Sequence, residues 1–212
     1  PWNFPSSMIK RKIGPALAAG CTVVLKPAPE TPLSAIELVK LFEQAGLPKG
    51  VLNLVTGDAE EIGQALLQNK DVRLITFTGS TEVGKYLMRE SAQHVKKLSL
   101  ELGGHAPVIV FEDADLDVAA KLTLASKYRN AGQTCICANR VYVHESVQEK
   151  FSQKLLEHIQ SLKVGEGLDP NTDIGPLINE QAVSKVESHL NDAVKQGAEV
   201  VYGGAKWEGE LN

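Results

Sequence analysis

A cysteine, a glutamate and an asparagine offer the most chemistry in this sequence. Cys135 lies in Asn130-Ala131-Gly132-Gln133-Thr134-Cys135-Ile136-Cys137, a small-residue loop directly after a helical pattern. A thiolate exposed there can attack a carbonyl, because sulfur is a strong nucleophile whose pKa falls beside cations or positive dipoles. Taken alone, a cysteine is more often a small core residue. Glu101 ends a strand-like run and is followed by Gly103 and Gly104, which let backbone or substrate come close. Open α/β sheets hold functional groups at the ends of parallel strands, although a solvated or helix-capping glutamate looks the same in sequence. Asn3, between Trp2 and Phe4, carries an amide in an apolar setting and suits either an oxyanion or the backbone of a turn.

Two further stretches have the chemistry of an anion or ribose site. Phe77-Thr78-Gly79-Ser80-Thr81-Glu82-Val83-Gly84-Lys85 reads as a strand, a glycine turn and a helix start, where free amides and the helix dipole favour a phosphate. Its spacing matches GxxxxGK, but Tyr86 stands where a P-loop has the Ser or Thr that binds magnesium, so triphosphate hydrolysis is disfavoured. A glycine turn before a helix is also often only a turn. Lys26, in Val24-Leu25-Lys26-Pro27-Ala28-Pro29-Glu30-Thr31-Pro32, ends an apolar strand where a ligand crevice would lie. A cation there suits a ribose or phosphate, or simply emerges into solvent.

The elements that must position these residues alternate between short β-rich runs and helical periods. Strands are expected at Thr22–Lys26, Val51–Val55, Arg73–Phe77, Lys97–Leu100, Pro107–Val110, Arg140–Val143 and Glu199–Tyr202. Helices are expected at Ser7–Ala19, Pro32–Ala45, Ala59–Gln68, Ser80–Ser91, Leu116–Asn130, Ser146–Leu162 and Glu180–Gln196, several introduced by Ser, Asp or Pro. Such alternation argues for an α/β fold of parallel sheets covered by helices. The cleanest break is Glu101-Leu102-Gly103-Gly104, which divides the chain into 1–103 and 104–212; Val164–Pro176, rich in Gly, Asp and Pro, reads as a long surface loop. Both ends read as cut from a longer polypeptide.

Composition narrows the classes. The net charge of −4 and the scatter of 22 basic residues leave no basic face for nucleic acid or an anionic membrane. No stretch approaches the roughly 20 apolar residues of a membrane span, and the N-terminus lacks a signal-peptide pattern. Three cysteines without disulfide-framework spacing, and no CxxC pair for a metal, fit a reducing, cytoplasmic setting.

Pro1-Trp2-Asn3-Phe4-Pro5, Lys26-Pro27, Phe77-Thr78-Gly79-Ser80, Glu101-Leu102-Gly103-Gly104 and Gly132-Gln133-Thr134-Cys135 together resemble the aldehyde dehydrogenase superfamily, in its order and across all 212 residues. Within it, Met8-Ile9-Lys10-Arg11-Lys12, Lys127-Tyr128-Arg129-Asn130 and the Cys135/Cys137 pair look like the succinate-semialdehyde branch. The resemblance implies that 1–103 is the later part of a Rossmann-like NAD(P)-binding domain and 104–212 the first part of an α/β catalytic domain. It implies a Cys135 nucleophile, an oxyanion held by the Asn3 amide and the Cys135 N–H, and Glu101 as the base that activates water. Lys26 would reach the adenosine ribose, Gly79 and Ser80 the pyrophosphate, and Trp2 and Leu102 the nicotinamide half. Arg11 and Arg129 would hold the distal carboxylate of the substrate, a task for permanently charged planar forks. The branch further implies a reversible Cys135–Cys137 disulfide, small-molecule aldehyde substrates and a homo-oligomer, dimer or tetramer.

One departure bears on the cofactor. Many NAD-preferring members carry Glu at the position of Pro29, where it repels a 2′-phosphate; here the carboxylate has moved to Glu30. That makes NADP the favoured of the two cofactors, while a Glu30 that swings back preserves NAD. Within the family the competing readings are glutarate-semialdehyde, betaine-aldehyde and general aliphatic enzymes, and the two arginines argue against uncharged substrates. Glu101 argues against a CoA-acylating member. From other classes, an inactive nucleotide-binding fragment and a redox-sensing module using Cys135 and Cys137 complete the alternatives.

Overall fold

A computed structural model describes residues 1–206. The chain forms two compact units, Pro1–Gly103 and Gly104–Asn212. The first contains α1 (Pro5–Ala18), β1 (Val23–Leu25), α2 (Pro32–Gln44), β2 (Leu52–Leu54), α3 (Ala59–Gln68), β3 (Leu74–Thr78), α4 (Thr81–Ser91) and β4 (Lys97–Glu101). The second contains β5 (Ala106–Val110), α5 (Leu116–Tyr128), β6 (Ala138–Val143), α6 (Gln148–Gln160) and α7 (Glu180–Lys195). The strands pair as β1 with β2, β3 with β4 and β5 with β6, all parallel, and each pair encloses a helix in sequence. Parallel neighbours need such a crossover, which accounts for the alternation.

Local chemistry starts these helices. Pro5 and Pro32 occupy the first turns of α1 and α2, where a missing N–H costs nothing. The side chains of Asp58, Ser80, Asp115 and Asn179 accept from N–H groups in the first turns of α3, α4, α5 and α7. In the first unit, Ile9 and Ile13 of α1 bury with Ala35 of α2 against Val23, Leu25, Leu52 and Leu54. In the second, Val110, Ala120 and Phe151 bring β5, α5 and α6 together over Val108 and Val143. Each large side chain so buried stabilises its unit by about 1.5–3 kcal/mol. Lys96 is 9% exposed and donates to the carbonyls of Asn69 (2.6 Å) and Val72 (2.5 Å), pinning the α3–β3 link beside β4.

Two expectations about elements fail. Glu199–Tyr202 is not a strand: no strand among the described residues pairs with it, and Val201 is 69% exposed. A β-prone run such as Glu199-Val200-Val201-Tyr202 makes a strand only where a ladder partner is present. Helix α5 ends at Tyr128 rather than Asn130, because Asn130 and Ala131 turn left-handed, at φ 53° and 54°. The stretch Val164–Pro176 is irregular, closed by a parallel bridge between Val164 and Ile174.

Candidate active site

In the first unit, Glu101 is the last residue of β4, exposed and in register with Thr78. Its carbonyl accepts the Gly79 N–H at 3.1 Å, so the glycine turn begins as a continuation of the β3–β4 ladder. That one amide is therefore committed to the ladder, whereas the Ser80, Thr81 and Glu82 N–H groups donate to no carbonyl among the described residues. Ser80 caps α4 by accepting from Val83 N–H at 3.2 Å. The two glycines of the P-loop-like spacing have packing reasons. A Cβ on Gly79 would run into the Phe77 ring, and one on Gly84 would stand 2.7 Å from Leu102 Cδ2. Leu102, which follows Glu101, is thus seated on α4.

Trp2 and Asn3 are half-buried at the entry to α1, and Arg11 is exposed on that helix. Lys12, which sequence reasoning gave no role, is half-buried and donates to Thr76 Oγ1 at 2.9 Å. Burial holds its ammonium below the ordinary lysine value, while the Glu101 carboxylate pulls it back up. Its place between the apolar Ile9 and Ile13 is visible in the sequence, but its partner Thr76, 64 residues away, is not.

The first unit also has a cavity of about 270 Å³ lined by Pro27, Ala28, Pro29, Pro32, Thr56 and Gly57. It sits just past the C-terminal ends of β1 and β2, where open parallel sheets bind nucleotides. Pro29 lines it; Glu30 does not. Lys26 is half-buried beside it, with Nζ donating to the Pro27 carbonyl at 2.8 Å.

In the second unit, Cys135 occupies the first corner of a turn closed by Cys137 N–H donating to the Thr134 carbonyl at 3.1 Å. It is half-buried and free, and among the described residues its own N–H donates to no carbonyl. Gly104 allows the chain to pass close to it: a Cβ there would stand 3.2 Å from the Cys135 carbonyl oxygen. Thr134 Oγ1 donates to the carbonyl of Arg129, the exposed residue that follows α5, at 3.3 Å. Cys137 is 1% exposed, with Sγ turned to the Lys127 carbonyl at 3.7 Å. The sulfurs of Cys135 and Cys137 are not bonded, and pairing them requires Cys137 to give up that burial and contact. Lys127 Nζ also donates to Asn139 Oδ1 at 2.6 Å, joining the end of α5 to β6.

Parallel strand–helix–strand units, a cavity at the strand ends and a half-buried cysteine on a tight turn define an α/β protein with parallel sheets. Across residues 1–212 the sequence matches the aldehyde dehydrogenase family, and the chain belongs to it. It is 60% identical over 206 residues to a mitochondrial succinate-semialdehyde dehydrogenase of Oryza sativa subsp. japonica, covering 97% of this chain and 39% of that protein. It is 58% identical over 208 residues to a succinate-semialdehyde dehydrogenase (NADP(+)) of Escherichia coli strain K12, covering 98% and 43%. A glutarate-semialdehyde dehydrogenase of Pseudomonas aeruginosa is 60% identical over 204 residues, covering 96% and 42%. The crystal structure of a succinate-semialdehyde dehydrogenase from Burkholderia pseudomallei superposes with a TM-score of 0.97 at 56% identity, over 98% of this chain and 43% of that one. The chain thus spans about two fifths of the length of the relatives it matches. Among its described residues no helix is long and apolar enough to cross a membrane.

Proposed function

We propose that this protein oxidises succinate semialdehyde to succinate while reducing NAD(P), with Cys135 as nucleophile and Glu101 as general base. The observation that carries the reading is the half-buried Cys135 on its tight turn, with its own N–H uncommitted among the described residues, in a chain of this family. The Cys135 sulfur bonds to the aldehyde carbon, and the carbonyl oxygen gains the charge that the Cys135 N–H and the Asn3 amide neutralise. Bound NAD(P) supplies the acceptor for the hydride that leaves that carbon, so the thiohemiacetal becomes a thioester. Glu101 takes a proton from water, the hydroxide attacks the thioester, and succinate leaves as the Cys135 thiolate is restored.

The cavity beside Pro27 and Pro29 fits the adenosine end of the cofactor, and Lys26 would hold its ribose. Ser80, Gly79, Trp2 and Leu102 would flank the pyrophosphate and the nicotinamide half. Pro29 in the lining, with Glu30 outside it, leaves no carboxylate there to repel a 2′-phosphate, which favours NADP. Arg11 and Arg129, both exposed, are assigned to the distal carboxylate of the substrate. The protein would act as a homo-oligomer in a reducing, cytoplasmic compartment, where its three free cysteines persist. The comparably high identity to a glutarate-semialdehyde dehydrogenase supports a second substrate, longer by one methylene. One methylene is worth only about 1–3 kcal/mol of discrimination, so both are expected to turn over.

The test is reduction of NADP or NAD by succinate semialdehyde, glutarate semialdehyde and propanal in the intact natural polypeptide and its Arg129→Leu variant. The variant should lose about ten- to a hundredfold in kcat/KM for the two semialdehydes and little for propanal. Equal losses on all three remove Arg129 from substrate recognition, and no turnover by the parent on any of them overturns the function.

A further inference from the structure

Gln133 stands two residues ahead of Cys135, and its side-chain amide is fixed at both ends. Its Oε1 accepts the Ile178 N–H at 3.0 Å, a partly buried bond that spans 45 residues of sequence. Its Nε2 donates to the Asn130 carbonyl at 3.1 Å, which also takes the Gln133 backbone N–H at 3.0 Å. Asn130 Nδ2 donates to the Gln133 carbonyl at 3.3 Å.

Between these two residues the backbone runs left-handed three times in succession, at φ 53° for Asn130, 54° for Ala131 and 77° for Gly132. Glycine adopts that region freely and asparagine tolerates it, but alanine does not. A turn of this kind persists only where its surroundings over-determine it. Gln133 does so from two directions. It closes the turn on the Asn130 carbonyl, and it anchors the turn to Ile178, next to the Asn179 cap of α7. The next turn, Thr134 to Cys137, carries Cys135 on its first corner: it begins where this one ends, and its far end is held at the buried Cys137.

We propose that Gln133 is a positioning residue for Cys135: by locking the left-handed turn and tying it to Ile178, it sets where the nucleophilic sulfur stands. The inference rests on the reading of Cys135 as the nucleophile. Gln133→Met removes both side-chain bonds at nearly constant length. Gln133→Glu keeps the acceptor for Ile178 but, ionised, has no proton for the Asn130 carbonyl.

The test uses the intact natural polypeptide and measures kcat and KM for succinate semialdehyde, the rate of Cys135 alkylation by iodoacetamide, and the thermal midpoint. Displacing a reacting atom by about 1 Å lowers turnover on the order of a hundredfold. Gln133→Met should therefore lower kcat about ten- to a hundredfold with KM changed less than about threefold, and should alter the alkylation rate of Cys135. Gln133→Glu should fall between it and the parent. Parental kcat and alkylation in Gln133→Met, with only the midpoint lowered, overturn the positioning role and leave the nucleophile standing. If Gln133→Met does not fold, Gln133→Glu decides alone: lowered kcat with unchanged far-UV dichroism supports the role, and parental kcat overturns it. A Cys135→Ala variant that still turns over overturns the nucleophile reading, and the role of Gln133 with it.

Discussion

Lys12 shows how a single residue ties the fold to its chemistry. Its ammonium is half-buried, bonded to Thr76 and within electrostatic reach of Glu101, and burial lowers its pKa from 10.5. Where both folded and unfolded chains hold the proton, folding bears the cost of burying the charge. As pH rises through the lowered folded value towards 10.5, the unfolded chain binds more protons than the folded one, and stability from this group increases. The difference in urea midpoint between the parent and Lys12→Met should therefore shift in the parent's favour as pH is raised from neutral towards the ordinary lysine value. A difference that stays constant across that range contradicts the burial argument.

At the scale of elements, Phe151 of α6 is 2% exposed and packs with Val110 of β5 and Ala120 of α5, so it joins three elements of the second unit. Phe151→Ala should cost about 3–5 kcal/mol in urea unfolding. A loss under about 1 kcal/mol shows that the α5–α6 layer collapses into the gap. Elements governed by local rules were readable in the sequence: α3 runs Ala59–Gln68 as its apolar period and the Asp58 cap require. The paired strands β1 to β6 lie within a few residues of their expected places for the same reason. What could not be read depends on partners far away in the chain. Glu199–Tyr202 has strand composition but no ladder partner among the described residues. The end of α5 is set by a left-handed turn supported from Ile178, and nothing in Tyr128-Arg129-Asn130 announces it. Cys135 and Glu101 stood out through their glycine neighbours, whereas Lys12 and Gln133 acquire meaning only once Thr76 and Ile178 are brought beside them.

For the molecule as a whole, each unit has its own buried cluster and its own share of the chemistry. The first holds the cavity past β1 and β2, Lys26 and Glu101; the second holds Cys135, Gln133 and Arg129. The proposed roles of Cys135 and Glu101 require a covalent intermediate at Cys135 that Glu101 helps to hydrolyse. The most direct measurement is acid quench of the intact Glu101→Gln variant with succinate semialdehyde and NADP, followed by peptide mass spectrometry. Removal of the base should slow hydrolysis about a hundredfold or more, so that a succinyl thioester accumulates on the peptide carrying Cys135, alongside about one equivalent of reduced cofactor per site. A succinyl group on another residue, or a full burst of reduced cofactor with an unmodified Cys135 peptide, contradicts it.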